Sequence, residues 1–503
     1  MTMINDGSIS EAATADTQPG QVTGTTWTLA SGLGLSTGVI SFSGSWVPSV
    51  WTDEQATLSG ATRPIPEMFT LVTHTLDAVH GLYYFLMHYW FALVGVHDWS
   101  FRLPSAIAVA LAVFGIVVLG TMLVSRRVGI LAGILLALIP QTQWVATEAR
   151  SYGLTVMLAV WLTIVLVLAV RSSSWWWIAY AILGIISVTV FIYIALLIVA
   201  HAITVLALRG WRRSWWLFGL SSLGILVCTI PVFRLAVLQR GQVSWISPIS
   251  RQTVFDVLAD QWFDSDVWIA GIFWALIGAA VVVVIVRRRT DPAAAGLALI
   301  ALPWLVLPTA ALVLGSLVVS PLYVGRYVAF SLPAVALLSA VALASIRSRF
   351  VIAAGLVAIL VLSTPLYLAQ REPFSKGTDW RSTSMVLGAH AQPGDAVFFS
   401  RAETAVYPYA RSMLFAYPDA VGGLKDIALA TSYTTRANFF DELVPFDTAA
   451  ERLGDSDRVW MVNPSGYLWA GSTDETMLRA LGFSVLEEYP GAATSLVLLS
   501  RSS

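Results

Sequence analysis

Long apolar runs alternate with short polar breaks over the first 370 or so residues, and most runs approach the ~20 residues that cross a bilayer as a helix. Candidate spans fall at about 27–48, 103–124, 128–146, 152–170, 175–191, 193–208, 216–236, 267–286, 294–318, 327–345 and 350–369. The pattern predicts an α-helical polytopic membrane protein with about 11 transmembrane helices. A further run at 81–95 is shorter and dense in Tyr, Trp and His, as helices lying along a membrane surface are. Beyond about residue 371 the period changes. Short apolar runs at Ala396–Ser400, Arg458–Val462, Ser484–Tyr489 and Ser495–Ser500 read as buried strands, with helical stretches at 383–391 and 475–481 between them. They predict a C-terminal soluble α/β domain.

Composition agrees with the membrane reading. Of 503 residues, 57% are hydrophobic and only 12% charged, with a mean hydropathy of +0.74. Soluble domains carry about 25% charged residues. The net charge of −1 offers no basic surface to nucleic acid. Basic residues cluster between alternate spans, at Arg126-Arg127, Arg171, Arg209 with Arg212-Arg213, Arg287 to Arg289, and Arg347 with Arg349. The positive-inside rule places all of them in the cytoplasm. Were 81–95 to cross, every later cluster would be inverted, so this segment is expected to lie along the surface. The expected organisation is a cytoplasmic tail at 1–26, a transmembrane domain at 27–370 whose first extracytoplasmic loop is 52–102, and an extracytoplasmic domain at 371–503. The tail has no basic region before an apolar core, which argues against a cleaved signal peptide. The single Cys228 lies in an apolar run and reads as a small buried hydrophobe.

Charge is costly in such a chain, so its location is informative. Asp53 and Glu54 follow the first apolar segment, and a stretch crowded with His, Tyr, Trp and Arg runs from Thr62 to Pro104. Arg63, Arg102, Arg150, Arg240, Arg251 and Arg326 all fall on loops expected outside, where the insertion rule disfavours them. A planar guanidinium pairs two oxygens at once and suits phosphate. Carboxylates beside aromatic and basic side chains at a membrane surface suggest chemistry on a polar group carried by a lipid.

Three local patterns sharpen this: Trp51-Thr52-Asp53-Glu54; Leu76-Asp77-Ala78-Val79-His80-Gly81-Leu82-Tyr83-Tyr84 followed by Phe101-Arg102-Leu103-Pro104-Ser105; and Glu148-Ala149-Arg150-Ser151-Tyr152. In order and spacing they resemble the GT-C membrane glycosyltransferases, in the branch of protein O-mannosyltransferases and the lipid A aminoarabinose transferase. The resemblance implies a multi-pass enzyme of the cytoplasmic (inner) membrane with its active site on the outer side. It would use a polyprenyl-phosphate-linked sugar donor and act on an envelope glycan, glycolipid or protein acceptor. It implies Asp53 as catalytic base, with Glu54 as a second acid orienting the acceptor or pairing a nearby Arg. A carboxylate accepting the proton of an attacking hydroxyl is general-base catalysis. Attack at the anomeric carbon would expel polyprenyl phosphate with inversion. Arg326, Arg150, Arg63, Arg102 and Tyr327 are the candidate donor-phosphate residues, with Arg326-Tyr327 similar to a late Arg-Tyr motif of the family. Asp77, His80, Tyr83, Tyr84 and Glu148 are the candidate acceptor and active-site-loop residues, and Asp379-Trp380-Arg381 marks the expected domain junction.

The chain departs from the family where His80-Gly81 replaces a Pro-Pro pair, and where Phe191-Ile192-Tyr193 replaces a Thr-His-Tyr pattern. With Ile192 at the position of that His, only Asp77 and His80 remain as ligands for a divalent cation, and no cofactor is expected with certainty. The expected sugar is mannose or a similar neutral one. The first-loop motifs do not separate hexose from pentose donors, so an arabinosyl or other pentosyl transferase is the alternative. A transporter or flippase for lipid-linked sugars would need ionisable residues at mid-membrane and broken helices in two related halves, which these nearly acid-free spans do not offer. A non-catalytic envelope assembly protein would have no need of Asp53.

Overall fold

The computed structural model describes residues 21–172, 175–207, 212–400, 409–454, 456–465 and 473–501. Most of the expected tail (1–20) and Arg209 lie outside the described residues. The chain forms two compact units. One gathers the residues up to Ser45, Asp77–Tyr83 and His97–Leu368; the other gathers Trp46–Leu76, Tyr84–Val96 and Ala369–Ser503. Residues 52–102, the expected first extracytoplasmic loop, are therefore divided between the units, most of them folding with the C-terminal residues.

The first unit is helical. Among the described residues seven helices are long and apolar enough to cross a membrane, or eight if the bent pair Arg126–Leu138 and Pro140–Ala146 is a single span. The other expected spans coincide with helices that fall short of that measure for identifiable reasons. Gly24–Phe42 is diluted by Gly, Ser and Thr. Trp175–Val190 has 16 residues, about 24 Å at 1.5 Å per residue. The bent pair turns by 67° at Pro140, which cannot continue the preceding helix and starts the next one. Gly81–Val94, with 14 residues, is likewise shorter than a span.

The helix Asp98–Leu123 lies at the centre of this unit, packed by Gly24–Phe42, Arg126–Leu138 and Tyr152–Arg171. Small residues permit the close approach, as expected between helices in lipid. A Cβ on Gly129 would stand 2.2 Å from the Val117 carbonyl oxygen, and one on Gly34 2.8 Å from that of Ala110. Gly34 and Gly38, two of the glycines that weaken the hydropathy of the first helix, are thus what its packing requires. A buried His201 bridges Thr163 (3.1 Å) and the Tyr180 hydroxyl (3.0 Å), so this polar group inside the apolar core is satisfied. Cys228, expected buried, is exposed on the face of the helix Arg212–Leu238.

The second unit contains a five-stranded sheet built from β1 (Ala396–Phe399), β2 (Lys425–Asp426), β5 (Arg458–Pro464), β6 (Phe483–Tyr489) and β7 (Thr494–Arg501) in the order β2-β1-β5-β7-β6. A separate pair joins β3 (Leu429–Thr431) to β4 (Glu442–Leu443). β1 runs parallel to β2 and β5, whereas β7 is antiparallel to β5 and β6. β1 is buried along its length, as a central parallel strand should be. Ala396, Phe398, Val459, Met461, Val497 and Leu499 share a core with Ala449 and Leu453 of the helix Phe446–Leu453 and Leu478 of the helix Thr473–Ala480. The expected junction motif works as a clasp here. Asp379 Oδ2 accepts the backbone N–H groups of Ala493 (2.8 Å) and Thr494 (3.0 Å), and Arg381 donates to the Trp46 carbonyl (2.8 Å).

Candidate active site

Asp53 and Glu54 occupy the first turn of the helix Thr52–Ala61, which follows extended backbone at Trp51 (φ −121°, ψ 177°). Carboxylates at that end complement the helix dipole. Adjacent helical residues point about 100° apart, and the two acids diverge accordingly: Asp53 is half-buried, whereas Glu54 is fully buried. The helix is held by the loop before β4. The Gln55 amide and the Ser59 hydroxyl both donate to the Phe439 carbonyl at 2.9 Å. Tyr84 packs edge-on to Phe439, and Gly60 leaves room for the Tyr84 ring, which a Cβ would meet at 2.9 Å.

Arg63 was expected at the donor phosphate. Its guanidinium is instead fully buried and donates to Ser59 O (2.8 Å), Ser59 Oγ (2.8 Å), Arg436 O (2.8 Å) and Asn438 O (3.0 Å). Burial lowers its pKa to about 10, partly opposed by Tyr433, Tyr84 and Glu67, so it is cationic at neutral pH. It is a strut that fixes the loop before β4 to the helix carrying Asp53. Further along, Asp441 accepts from the Tyr433 N–H (2.8 Å) and from Arg411 Nε (2.8 Å), and Arg411 also pairs with Asp426.

In the first unit, the other candidates converge. Asp77 has left-handed backbone (φ 61°, ψ 33°), a strained state for a non-glycine residue. Two glutamine side chains beyond the helix Arg212–Leu238 hold it there. Gln242 Oε1 accepts the Asp77 N–H at 2.7 Å, and Gln239 Oε1 accepts the Ala78 N–H at 2.9 Å. The Asp77 carboxylate faces Arg150 at 3.4 Å. His80 is buried; its Nδ1 bonds the Ser151 hydroxyl at 3.0 Å, and its ring stacks on Phe191 at 5.3 Å. Burial, and next the Arg150 charge, push the His80 imidazole down to about 3, with Asp77 opposing and Arg326 adding to the effect. His80 is therefore neutral, and its field connects it to Asp77, Arg150 and Arg326.

Arg326 lies over the Trp245 ring at 5.3 Å and over Tyr327 at 5.9 Å, a cation–π arrangement that orients the guanidinium. Tyr327 in turn stacks on Tyr193 (5.4 Å) and meets Phe191 (5.6 Å) and Tyr152 (6.2 Å). The turn before Arg326 is fixed by close packing, since a Cβ on Gly325 would lie 3.2 Å from Gln261 Cα. Gln261 is itself bonded to Thr309 (3.1 Å) and Tyr323 (3.0 Å). Glu148 is fully buried, and its carbonyl accepts from Ser105 Oγ at 2.6 Å. Arg102 is buried and donates to the Ser45 carbonyl at 2.7 Å. Tyr83 is buried as well. The structure thus groups Arg150, Asp77, His80, Arg326 and Tyr327 around an aromatic wall.

Such a cluster offers two guanidinium groups to an anion and flat rings to an apolar or sugar face. Asp77 and His80 gather no third ligand: among the described residues no group of three or more His, Cys, Asp or Glu is placed to hold a metal ion. Sequence reasoning missed Gln239, Gln242, Ser151 and Trp245. The polar run Gln239-Arg240-Gly241-Gln242 after an apolar helix was the available signal for the first pair, and Ser151 lay within the third motif; nothing local marked Trp245.

The architecture defines a class. A multispan helical body with a C-terminal sheet, carrying these motifs in this order, is the GT-C fold. Residues 81–234 match the family model of dolichyl-phosphate-mannose-protein mannosyltransferases. The fold is similar to that of ArnT from Cupriavidus metallidurans in the apo state, with 14% identity, 92% of this chain and 96% of that chain covered, and a TM-score of 0.58. It is also similar to the same protein bound to undecaprenyl phosphate, with 14% identity, 95% and 98% covered, and a TM-score of 0.54. No curated protein matches the sequence significantly.

Proposed function

We propose that this protein is an inverting glycosyltransferase that moves a sugar from a polyprenyl-phosphate donor to an acceptor of the cell envelope, on the outer face of the cytoplasmic membrane. The observation that carries this reading is the half-buried Asp53 carboxylate at the start of a rigidly held helix in the first outer loop of a GT-C fold. Asp53 takes the proton of the acceptor hydroxyl as that oxygen attacks the anomeric carbon. The bond to the phosphate oxygen breaks, and polyprenyl phosphate leaves with the electron pair. Arg326 and Arg150 stabilise the charge developing on the departing phosphate, in surroundings where burial strengthens each charge. The Asp77 carboxylate orients Arg150, and Trp245 with Tyr327 orients Arg326. Glu54, fully buried, supports the helix of Asp53 rather than reaching substrate. That ArnT binds undecaprenyl phosphate supports a donor of this chemistry. The sugar is mannose or a similar neutral one. Transfer to an acceptor in membrane extract, followed by the anomeric configuration of the product, tests the reading. Inversion relative to the donor is expected, and a retained configuration contradicts the single displacement.

A further inference from the structure

The helix that carries Asp53 has no cap of its own. Helix starts are usually pinned by a Ser, Thr, Asp or Asn whose side chain accepts a backbone N–H of the first turn. Here the cap position is Trp51, which makes no such bond. What fixes the start of this helix is therefore the backbone that leads into it, and that backbone is held from far along the chain.

Val50 is buried, and both of its backbone polar groups are taken by C-terminal residues of the same compact unit. Its N–H donates to the Tyr417 hydroxyl at 2.9 Å, and its carbonyl accepts from Thr378 Oγ1 at 2.8 Å. The buried Ser49 is held in the same way. Its N–H donates to the Pro373 carbonyl at 2.9 Å, and its hydroxyl oxygen accepts the Arg381 N–H at 3.3 Å. The Arg381 guanidinium, which holds the Trp46 carbonyl, lies over the Tyr417 ring at 5.2 Å. Buried backbone groups need partners, so the stretch from Trp46 to Val50 keeps its path only while these side chains are in place. Beyond Asp53, Gln55 and Ser59 are tied to the Phe439 carbonyl. Asp53 thus stands between two anchors, and C-terminal residues supply both.

We propose that Tyr417 is a positioning residue for sugar transfer: by accepting the Val50 N–H it sets the start of the helix and, with it, the place of the Asp53 carboxylate. The inference rests on the reading of Asp53 as the base. A base acts only within about 2.6–3.2 Å of the atom whose proton it takes, and a misplacement of about 1 Å can cost roughly 100-fold in rate. A tyrosine suits the task because its hydroxyl accepts from the amide while its ring is fixed beneath Arg381. Without that hydroxyl the Val50 N–H loses its acceptor, and a buried donor left unmade is costly enough to move the backbone. Tyr417 need not touch substrate to do this.

The purified full chain is assayed with radiolabelled polyprenyl-phosphate mannose, glucose, galactose and arabinose and with membrane extract as the source of acceptor. For the donor that transfers, kcat and KM are measured. Tyr417→Phe keeps the ring beneath Arg381 and removes only the hydroxyl. It should lower kcat by about ten-fold or more and leave KM for the donor within about two-fold. Thr378→Val, which takes the hydroxyl from the Val50 carbonyl, should act in the same direction and serves if Tyr417→Phe does not fold. In the Asp53→Asn background, Tyr417→Phe should lower the residual rate by less than about two-fold, because a residue that acts through the base has nothing left to position. A wild-type kcat in the folded variants, a rise in KM in place of the fall in kcat, or the full loss repeated in the Asp53→Asn background overturns the inference and leaves the base reading standing. An undiminished rate in Asp53→Asn alone, or no transfer by the wild type from any donor, overturns the base reading and this inference with it.

Discussion

His80 sits where a proton is costly, because burial and the Arg150 charge hold its imidazole down to about 3. The unfolded chain takes up that proton below about 6.5 and the folded chain does not. The stabilisation from a neutral His80 is therefore complete above 6.5 and lost progressively as the pH falls towards 3. Thermal melting of His80→Gln should lose less between pH 7 and pH 4.5 than melting of the wild type; equal losses would remove His80 from the account. Arg63 illustrates the opposite lesson about charge. Its partners were not legible in the sequence, since Arg436 and Asn438 lie some 370 residues along the chain. Arg63→Ala should cost about 1.5–3 kcal/mol per charged hydrogen bond lost, read as a lowered melting temperature. The resemblance already singled out Asp53 from Glu54, but the difference in their burial comes only from the turn of the helix.

At the scale of elements, span positions were legible because apolar runs of this length have few other uses. What escaped was the geometry that small or cyclic residues impose. Pro140 divides one expected span into a bent pair, and Gly129 brings its helix against the backbone of Asp98–Leu123. Gly129→Val should destabilise the helical unit by about 1–3 kcal/mol or more, since the added Cβ would lie 2.2 Å from a backbone oxygen that cannot withdraw. A melting temperature equal to that of the wild type would contradict that packing. The segment Arg240–Val243 was read as a loop with an outer arginine, yet its flanking glutamines hold the strained Asp77. Replacing both Gln239 and Gln242 by Ala should relax that turn and reduce kcat for transfer. KM for a soluble acceptor analogue should change little if the pair positions Arg150 rather than binds acceptor.

For the whole molecule, motif order alone was enough to indicate the fold, because the three patterns lie within the first third of the chain. β1, β5, β6 and β7 were legible as short apolar runs, whereas the two- and three-residue strands β2, β3 and β4 were too short to leave a pattern. The order β2-β1-β5-β7-β6 was not legible either, because pairing between distant strands is decided by tertiary packing rather than by local pattern. The division of residues 52–102 between two compact units was equally hidden, since their contacts run to residues far along the chain. The central claim, that Asp53 is the base of a sugar transfer from a lipid phosphate donor, is open to one direct measurement. Purified wild type and Asp53→Asn are each incubated with a panel of radiolabelled polyprenyl-phosphate sugars and membrane extract, and transfer is counted. The account predicts transfer by the wild type from at least one donor, lowered by about 10²–10⁴-fold in the folded Asp53→Asn protein. Transfer from none of the donors, or an undiminished rate in the variant, would contradict it.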